Sequence, residues 1–336
     1  MRILVFRLSA IGDIILTSAL IRCLKKQIPD CTIDFVVKRQ FEQLVSSNPH
    51  ISTIYTVDSN EGFSGLRSLA KNLQTKKYDV FLDIHKNFRS QFVRRKSNPQ
   101  KIFTYKKHVI KRALLINFHV DLYNPPVPVY KRFILSAEAL GIKDDGEKTE
   151  FYIDHLAQEK IDGLLATKGA EPLTYITLCP GASFWNKQWP IENLSLLATK
   201  IIQQTDKNVV LIGGPKEKEL SAQIASANPK VIDLTGKLNL QESAAVLKNT
   251  LCTVANDTGM LHLSEALKRP VVGIYGPTAR QLGYFPLLEE SQIVEVEDLA
   301  CRPCTKMGMN NCPKKHFKCM RDINPEHVFN AIKKYL

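Results

Sequence analysis

Residues 251–275 read LCTVANDTGMLHLSEALKRPVVGIY, and this stretch decides the fold. Residues 251–255 form a short β-branched run that predicts a buried strand, and 256–258 supply a turn. Residues 259–267 have helical spacing, and 271–275 read as a second buried strand. Strands alternating with helices of this length imply βαβ units and parallel sheets. The rhythm extends outward. Upstream it gives strands at 175–179, 209–212 and 231–234, with helices at 192–204, 216–227 and 241–248. The first half repeats it, with strands at 2–6, 32–37, 53–57 and 80–84 and helical spacing over 14–28, 40–47 and 66–77. It falters between about 143 and 172, where 143–150 read KDDGEKTE. The expectation is an α/β protein of two doubly wound parallel-sheet, Rossmann-like domains facing a cleft, residues 1–165 and 166–336. A Cys-rich tail (301–319) and a terminal helix (325–336) complete the second. Ligands in such sheets lie beyond the carboxyl ends of the strands, so the loops after strands are where chemistry is sought.

Composition narrows the class. The chain has 336 residues, 44% of them apolar and 24% charged, ordinary values for a folded soluble protein. Mean hydropathy is -0.14, and no apolar run approaches the roughly 18–20 residues that cross a bilayer. Arg7 interrupts what would be the apolar heart of a signal peptide. A cytoplasmic protein is expected. The formal net charge is +13, and residues 1–168 carry +10 of it. No carboxylate lies between Asp83 and Asp121, where ten cations run from Lys86 to Arg112. Such a field suits a polyanion: nucleic acid, an anionic membrane face or a phosphorylated substrate. The charge makes a basic nucleic-acid-binding protein the alternative from another class; against it, only Phe88, Phe92, Phe103 and Tyr105 accompany these cations, and no recognition motif does.

Four loops carry the chemistry. Residues 7–13 (RLSAIGD) lack a dinucleotide fingerprint but place Asp13 at a helix start, as a cap or as a base that accepts a proton from a substrate hydroxyl. Negative charge is favoured at that end of a helix. Residues 180–190 (PGASFWNKQWP) offer the Ser183 hydroxyl and the Lys187 ammonium, the latter suited to a phosphate, with Trp189 docked on the core. In 213–217 (GGPKE), two glycines allow close ligand approach and Glu217 can accept from a ribose. In 256–262 (NDTGMLH), the N–H groups at the helix start and the Thr258 hydroxyl suit phosphate. Asp257 as a cap and His262 as a core histidine are the plainer alternatives there. Together with Lys187, the set reads as a nucleoside-diphosphate site.

In this order and spacing, the opening G-D turn, A-S-x-x-x-K-x-W-P, G-G-P-x-E, and N-D-T-G-x-x-H followed by P-V-V-G-I-Y-G-P-T resemble glycosyltransferase family 9. These are the bacterial ADP-heptose:lipopolysaccharide heptosyltransferases. The resemblance implies a GT-B fold and a metal-independent inverting transfer of heptose from ADP-heptose to a phosphorylated lipid A–Kdo acceptor in lipopolysaccharide core assembly. Carried over by position, Asp13 is the general base. Lys187, Thr258 and Gly259 hold the diphosphate, Ser183 assists, Asp257 and His262 shape the site, and Glu217 binds the ribose. Lys86 and Arg89 fall where the family places acceptor contacts. An anionic inner-membrane face is then the natural partner of the cationic stretch, with peripheral association and no nucleic acid. The same fold acting on another acceptor, such as a protein or other glycan, or with another nucleotide sugar, is the nearer alternative.

Eight cysteines remain. Cys23, Cys31, Cys179 and Cys252 sit in or beside apolar segments and are expected to be buried thiols. Cys301-x2-Cys304-x7-Cys312-x6-Cys319 has the leading pair of a tetrahedral thiolate site, for structural zinc or iron, with His316 as an alternative ligand.

Overall fold

The computed structural model describes all 336 residues, which fall into two compact units. The first is Met1–Lys107 with Pro128–Tyr152, and the second is His108–Val127 with Ile153–Leu336. A cut at 165/166 does not coincide with them: the chain passes to the second unit after Tyr152, and the segment His108–Val127 already belongs there. The boundary after Tyr152 falls within residues 143–172, where the rhythm falters, and the KDDGEKTE stretch just before it is held in place. The buried Arg22 guanidinium donates to Asp145 at 2.9 Å and to Glu150 at 3.1 Å, fastening the stretch to the first unit. This holds the Asp145 carboxyl well below the usual range.

The first unit is built on five parallel strands: β1 (Arg2–Phe6), β2 (Thr32–Lys38), β3 (Thr53–Val57), β4 (Val80–Asp83) and β5 (Lys101–Thr104). They lie in the order β3-β2-β1-β4-β5. The second has β6 (Tyr175–Cys179), β7 (Asn208–Leu211), β8 (Val231–Asp233), β9 (Cys252–Asn256), β10 (Val271–Tyr275) and β11 (Gln292–Glu295). Their order is β11-β10-β9-β6-β7-β8, and all neighbouring strands run parallel. The central strands are buried on both faces, as parallel sheets covered by helices require.

Strand order positions the site. In the first sheet the winding reverses between β1 and β4; in the second it reverses between β6 and β9. Ligand crevices of doubly wound sheets open at that reversal, beyond the carboxyl ends. The loops after β1 and β4 carry Asp13 and Lys86, and those after β6 and β9 carry Lys187 and Asp257.

The residues predicted as one helix over 14–28 form two, Ile11–Leu16 and Ser18–Gln27, because the Thr17 hydroxyl turns back to the Asp13 carbonyl at 2.8 Å. Helical spacing over 40–47 becomes a 3-10 turn, Arg39–Leu44. The terminal helix, Pro325–Lys333, enters the second unit's core with Val328, Phe329 and Ile332 beside Trp189 and Ile201. Cys23, Cys31, Cys179 and Cys252 are buried, as expected.

Candidate active site

In the first unit, a buried arginine organises the loop after β1. Arg7 donates through Nε to the Ser9 carbonyl at 2.8 Å and through Nη1 to the Ile84 carbonyl at 2.7 Å. Its remaining nitrogen forms an ion pair with the Asp13 carboxylate. Asp13 is not the helix cap. That position is Ala10, and Asp13 lies in the first turn, where helix N–H groups favour negative charge. The loop after β4 approaches the same residues. His85 is held neutral, its pKa pushed down to about 3 by burial and by the Arg7 and Lys107 cations. Its buried Nδ1 has no hydrogen-bond partner. Sequence reasoning missed His85, whose environment comes from several separate segments.

Lys86 and Arg89, predicted to contact the acceptor, are placed differently from each other. Lys86 adopts a left-handed backbone at φ 49°, its N–H donates to Asp83 at 2.6 Å, and its ammonium reaches the Tyr105 carbonyl at 3.3 Å. Arg89 is exposed, its guanidinium over the Phe88 ring. Asn87 begins the following helix, Phe88–Lys96, through a reciprocal cap with Ser90. Part of the cationic run is structural: Arg94 pairs with the buried Asp83 at 3.4 Å, and Lys107 donates to the Lys86 carbonyl at 2.8 Å.

The second unit gathers most of the predicted donor residues. The Lys187 ammonium lies 2.8 Å from the Asp257 carboxylate, which also accepts from the Thr278 hydroxyl at 2.8 Å. Thr258 is the N-cap of the helix Gly259–Ala266, yet its side chain makes no cap bond, and its buried Oγ1 has no partner. The first N–H groups of that helix therefore have no side-chain acceptor from the cap residue. A cation, a free hydroxyl and a helix start together suit a diphosphate. Glu217 is half-buried against Gly181: a Cβ there would stand 2.5–2.9 Å from its side chain, so glycine is what lets this carboxylate reach the loop. His262 is buried, with its ring 6.1 Å from that of Tyr284. Ser183 is exposed.

Asn256 ties the parts together and was not singled out from sequence. Its amide donates to the Pro180 and Gly181 carbonyls at 3.0 and 3.2 Å and accepts from the Trp189 N–H at 3.1 Å. The loop carrying Lys187 is thereby fixed to the turn carrying Asp257. A cavity of about 500 Å³ in this unit is lined instead by residues such as His119, Asp121, Arg280, Glu295 and Arg302. It adjoins the predicted residues through Thr278, whose carbonyl accepts from Arg302 at 2.9 Å.

Cys301, Cys304, Cys312 and Cys319 are free thiols, and no three His, Cys, Asp or Glu side chains are gathered in metal-holding geometry. The four thiols lie near one another, since, after burial, Cys304, Cys301 and Cys312 all help to raise the Cys319 thiol. Cys319 is turned into the core, near where a Cβ on Gly276 would lie, and burial pushes its thiol up to about 12. Cys301 lies instead 3.7 Å from His316 Nε2. What the tail does is brace the donor loop. Asn186 exchanges bonds with Met309 at 2.7 and 3.1 Å, Trp185 stacks on Phe317 at 4.4 Å, and Trp189 Nε1 donates to the Ile323 carbonyl at 3.1 Å.

Two Rossmann-like parallel-sheet units, with a diphosphate-suited turn in the second, define a GT-B glycosyltransferase. The model of glycosyltransferase family 9 (heptosyltransferase) matches residues 66–315, and the chain belongs to that family. Its sequence is 26% identical to lipooligosaccharide heptosyltransferase 2 of Haemophilus influenzae, over 100% of this chain and 99% of the relative. The fold is shared with a family 9 glycosyltransferase from Veillonella parvula, at TM-score 0.83 and 22% identity, covering 99% of this chain and 96% of the other. It is also shared with the ADP-heptose lps heptosyltransferase II of Escherichia coli, at TM-score 0.79 and 21% identity, covering 100% and 98%.

Proposed function

We propose that this enzyme moves a heptose from ADP-heptose to a phosphorylated lipid A–Kdo inner-core acceptor, with inversion at the anomeric carbon. The names of its relatives support the donor and acceptor class. The observation that carries the chemistry is the pairing of Lys187 with Asp257 beside the partnerless Thr258 hydroxyl at a helix start. The acceptor hydroxyl oxygen attacks the anomeric carbon and its proton passes to the Asp13 carboxylate. The bond to the β-phosphate oxygen breaks, and its electron pair leaves with ADP. Lys187, Thr258 and the N–H groups from Gly259 onward offset the charge that grows on the diphosphate, so the step draws on no metal. Glu217 accepts from the ribose, Ser183 adds a hydroxyl, and Asp257 and His262 fix the shape. Arg7 orients the base. Arg89 and, through its backbone position, Lys86 meet the acceptor's anionic groups. The enzyme works in the cytoplasm at the inner face of the inner membrane.

The test is acceptor-dependent ADP release. ADP-heptose with a defined lipid A–Kdo acceptor should give ADP and one added heptose by mass. Release that needs no acceptor, or transfer only with a different nucleotide sugar, would contradict the reading.

A further inference from the structure

The helix Val109–Phe118 is built the wrong way round for a helix on a folded core. Its one buried residue is Leu115. Val109, Ala113 and Asn117, spaced by four, form an exposed line, and Ile110 flanks it at 77% exposure. Phe118 closes the helix at 70% exposure, and Val120 and Leu122 continue the apolar surface into the loop. An ordinary surface helix turns its apolar stripe inward and its charges outward. Here the exposed side chains of the helix are Val109, Ile110, Ala113 and Phe118, with Lys111 and Asn117 as the exposed polar ones. Contiguous apolar surface of this kind marks an interaction site.

The charges around it select the partner. Lys111 is exposed on this helix, Arg112 is half-buried beside it, and Lys106 precedes them in sequence, also exposed. Asp121, whose carboxylate accepts from the Tyr123 N–H at 2.7 Å, is the first carboxylate met after Asp83. An apolar helix face edged by cations is complementary to a bilayer whose surface is anionic: the side chains enter the acyl boundary while the cations meet phosphates. Lys111 reaches back to the Leu122 carbonyl at 3.0 Å, holding the loop against the helix so that both present apolar residues together.

We propose that the helix Val109–Phe118 and the loop to Leu122 form a docking surface for an anionic phospholipid bilayer. The proposal deepens the glycolipid-transfer reading and rests on it for its purpose, because the acceptor would be anchored in such a bilayer. Docking itself is measured without acceptor or turnover.

The experiment is co-sedimentation with vesicles of phosphatidylethanolamine and phosphatidylglycerol, compared with phosphatidylcholine alone. The wild-type chain should bind the anionic vesicles and bind less as salt rises. The double variant Ile110→Asp with Phe118→Asp should lose at least about tenfold in partitioning. Lys111→Glu with Arg112→Glu should lose about tenfold on anionic vesicles. The milder Ile110→Ser with Phe118→Ser, checked by circular dichroism, guards against misfolding. Transfer to a water-soluble, deacylated acceptor should be unchanged in the serine pair, which separates docking from the enzymatic reading. No binding by the wild-type chain, or binding that both apolar pairs leave intact, would overturn the proposal. So would a wild-type dimer in sedimentation that these pairs dissolve, since a second copy would then cover the face.

Discussion

Arg7 touches the ends of two strands through one guanidinium, binding the loop after β1, the Ile84 carbonyl after β4, and Asp13. The arrangement leaves a cation beside His85, whose pKa burial and this charge depress to about 3. The sign of the consequence is fixed. Below about 6.5 the unfolded chain takes up a proton on this residue that the folded chain refuses until about 3. Stability from this group is thus present above 6.5 and falls as pH drops toward 3, by up to about 1.4 kcal/mol per pH unit. Urea unfolding at pH 7 and at pH 4.5 should show a larger loss for the wild-type chain than for His85→Gln. Equal losses would mean that His85 is protonated in the folded state. Asp13, Lys187, Asp257 and Thr258 could be read from sequence because each sits in a short strand-to-helix turn whose chemistry is local. The roles of Arg7, His85, Asn256 and Thr278 arise where separate strand ends meet, which no single window of sequence contains.

At the scale of elements, the tail braces the loop that carries Lys187. Phe317 is buried, stacks on Trp185 and belongs to the core that holds Trp189. Phe317→Ala should cost about 3 kcal/mol of stability. It should also raise the KM for ADP-heptose several-fold, because the loop carrying Lys187 loses its support. Thermal unfolding and initial-rate kinetics check this, and an unchanged donor KM would detach the tail from the donor loop. The central strands were predictable because burial on both faces leaves a continuous apolar run that nothing else imitates. Four strands, including β1 and β10, were predicted with their observed bounds. The helix Val109–Phe118 was not predicted. Apolar side chains lie on both its exposed and its covered sides, so no single inward stripe betrays it. The helix His155–Ala166 lies within the stretch where the rhythm appeared to falter; three of its residues are buried, too few to stand out among polar neighbours.

For the whole molecule, the proposed mechanism divides the work between the two units: proton removal in the first, and hold of the leaving diphosphate in the second. The charge follows the same division: the first unit, Met1–Lys107 with Pro128–Tyr152, has 23 basic and 13 acidic side chains, +10 of the net +13, although Arg94 and Lys107 show that part of it is internal architecture. The most direct test compares turnover and ADP affinity in Asp13→Ala and Lys187→Ala, using acceptor-dependent ADP release and calorimetry. Asp13→Ala should lower kcat by about a hundredfold or more with the Kd for ADP unchanged. Lys187→Ala should weaken ADP binding by about tenfold to a hundredfold. Full turnover by Asp13→Ala, or ADP affinity untouched in Lys187→Ala, would contradict that mechanism.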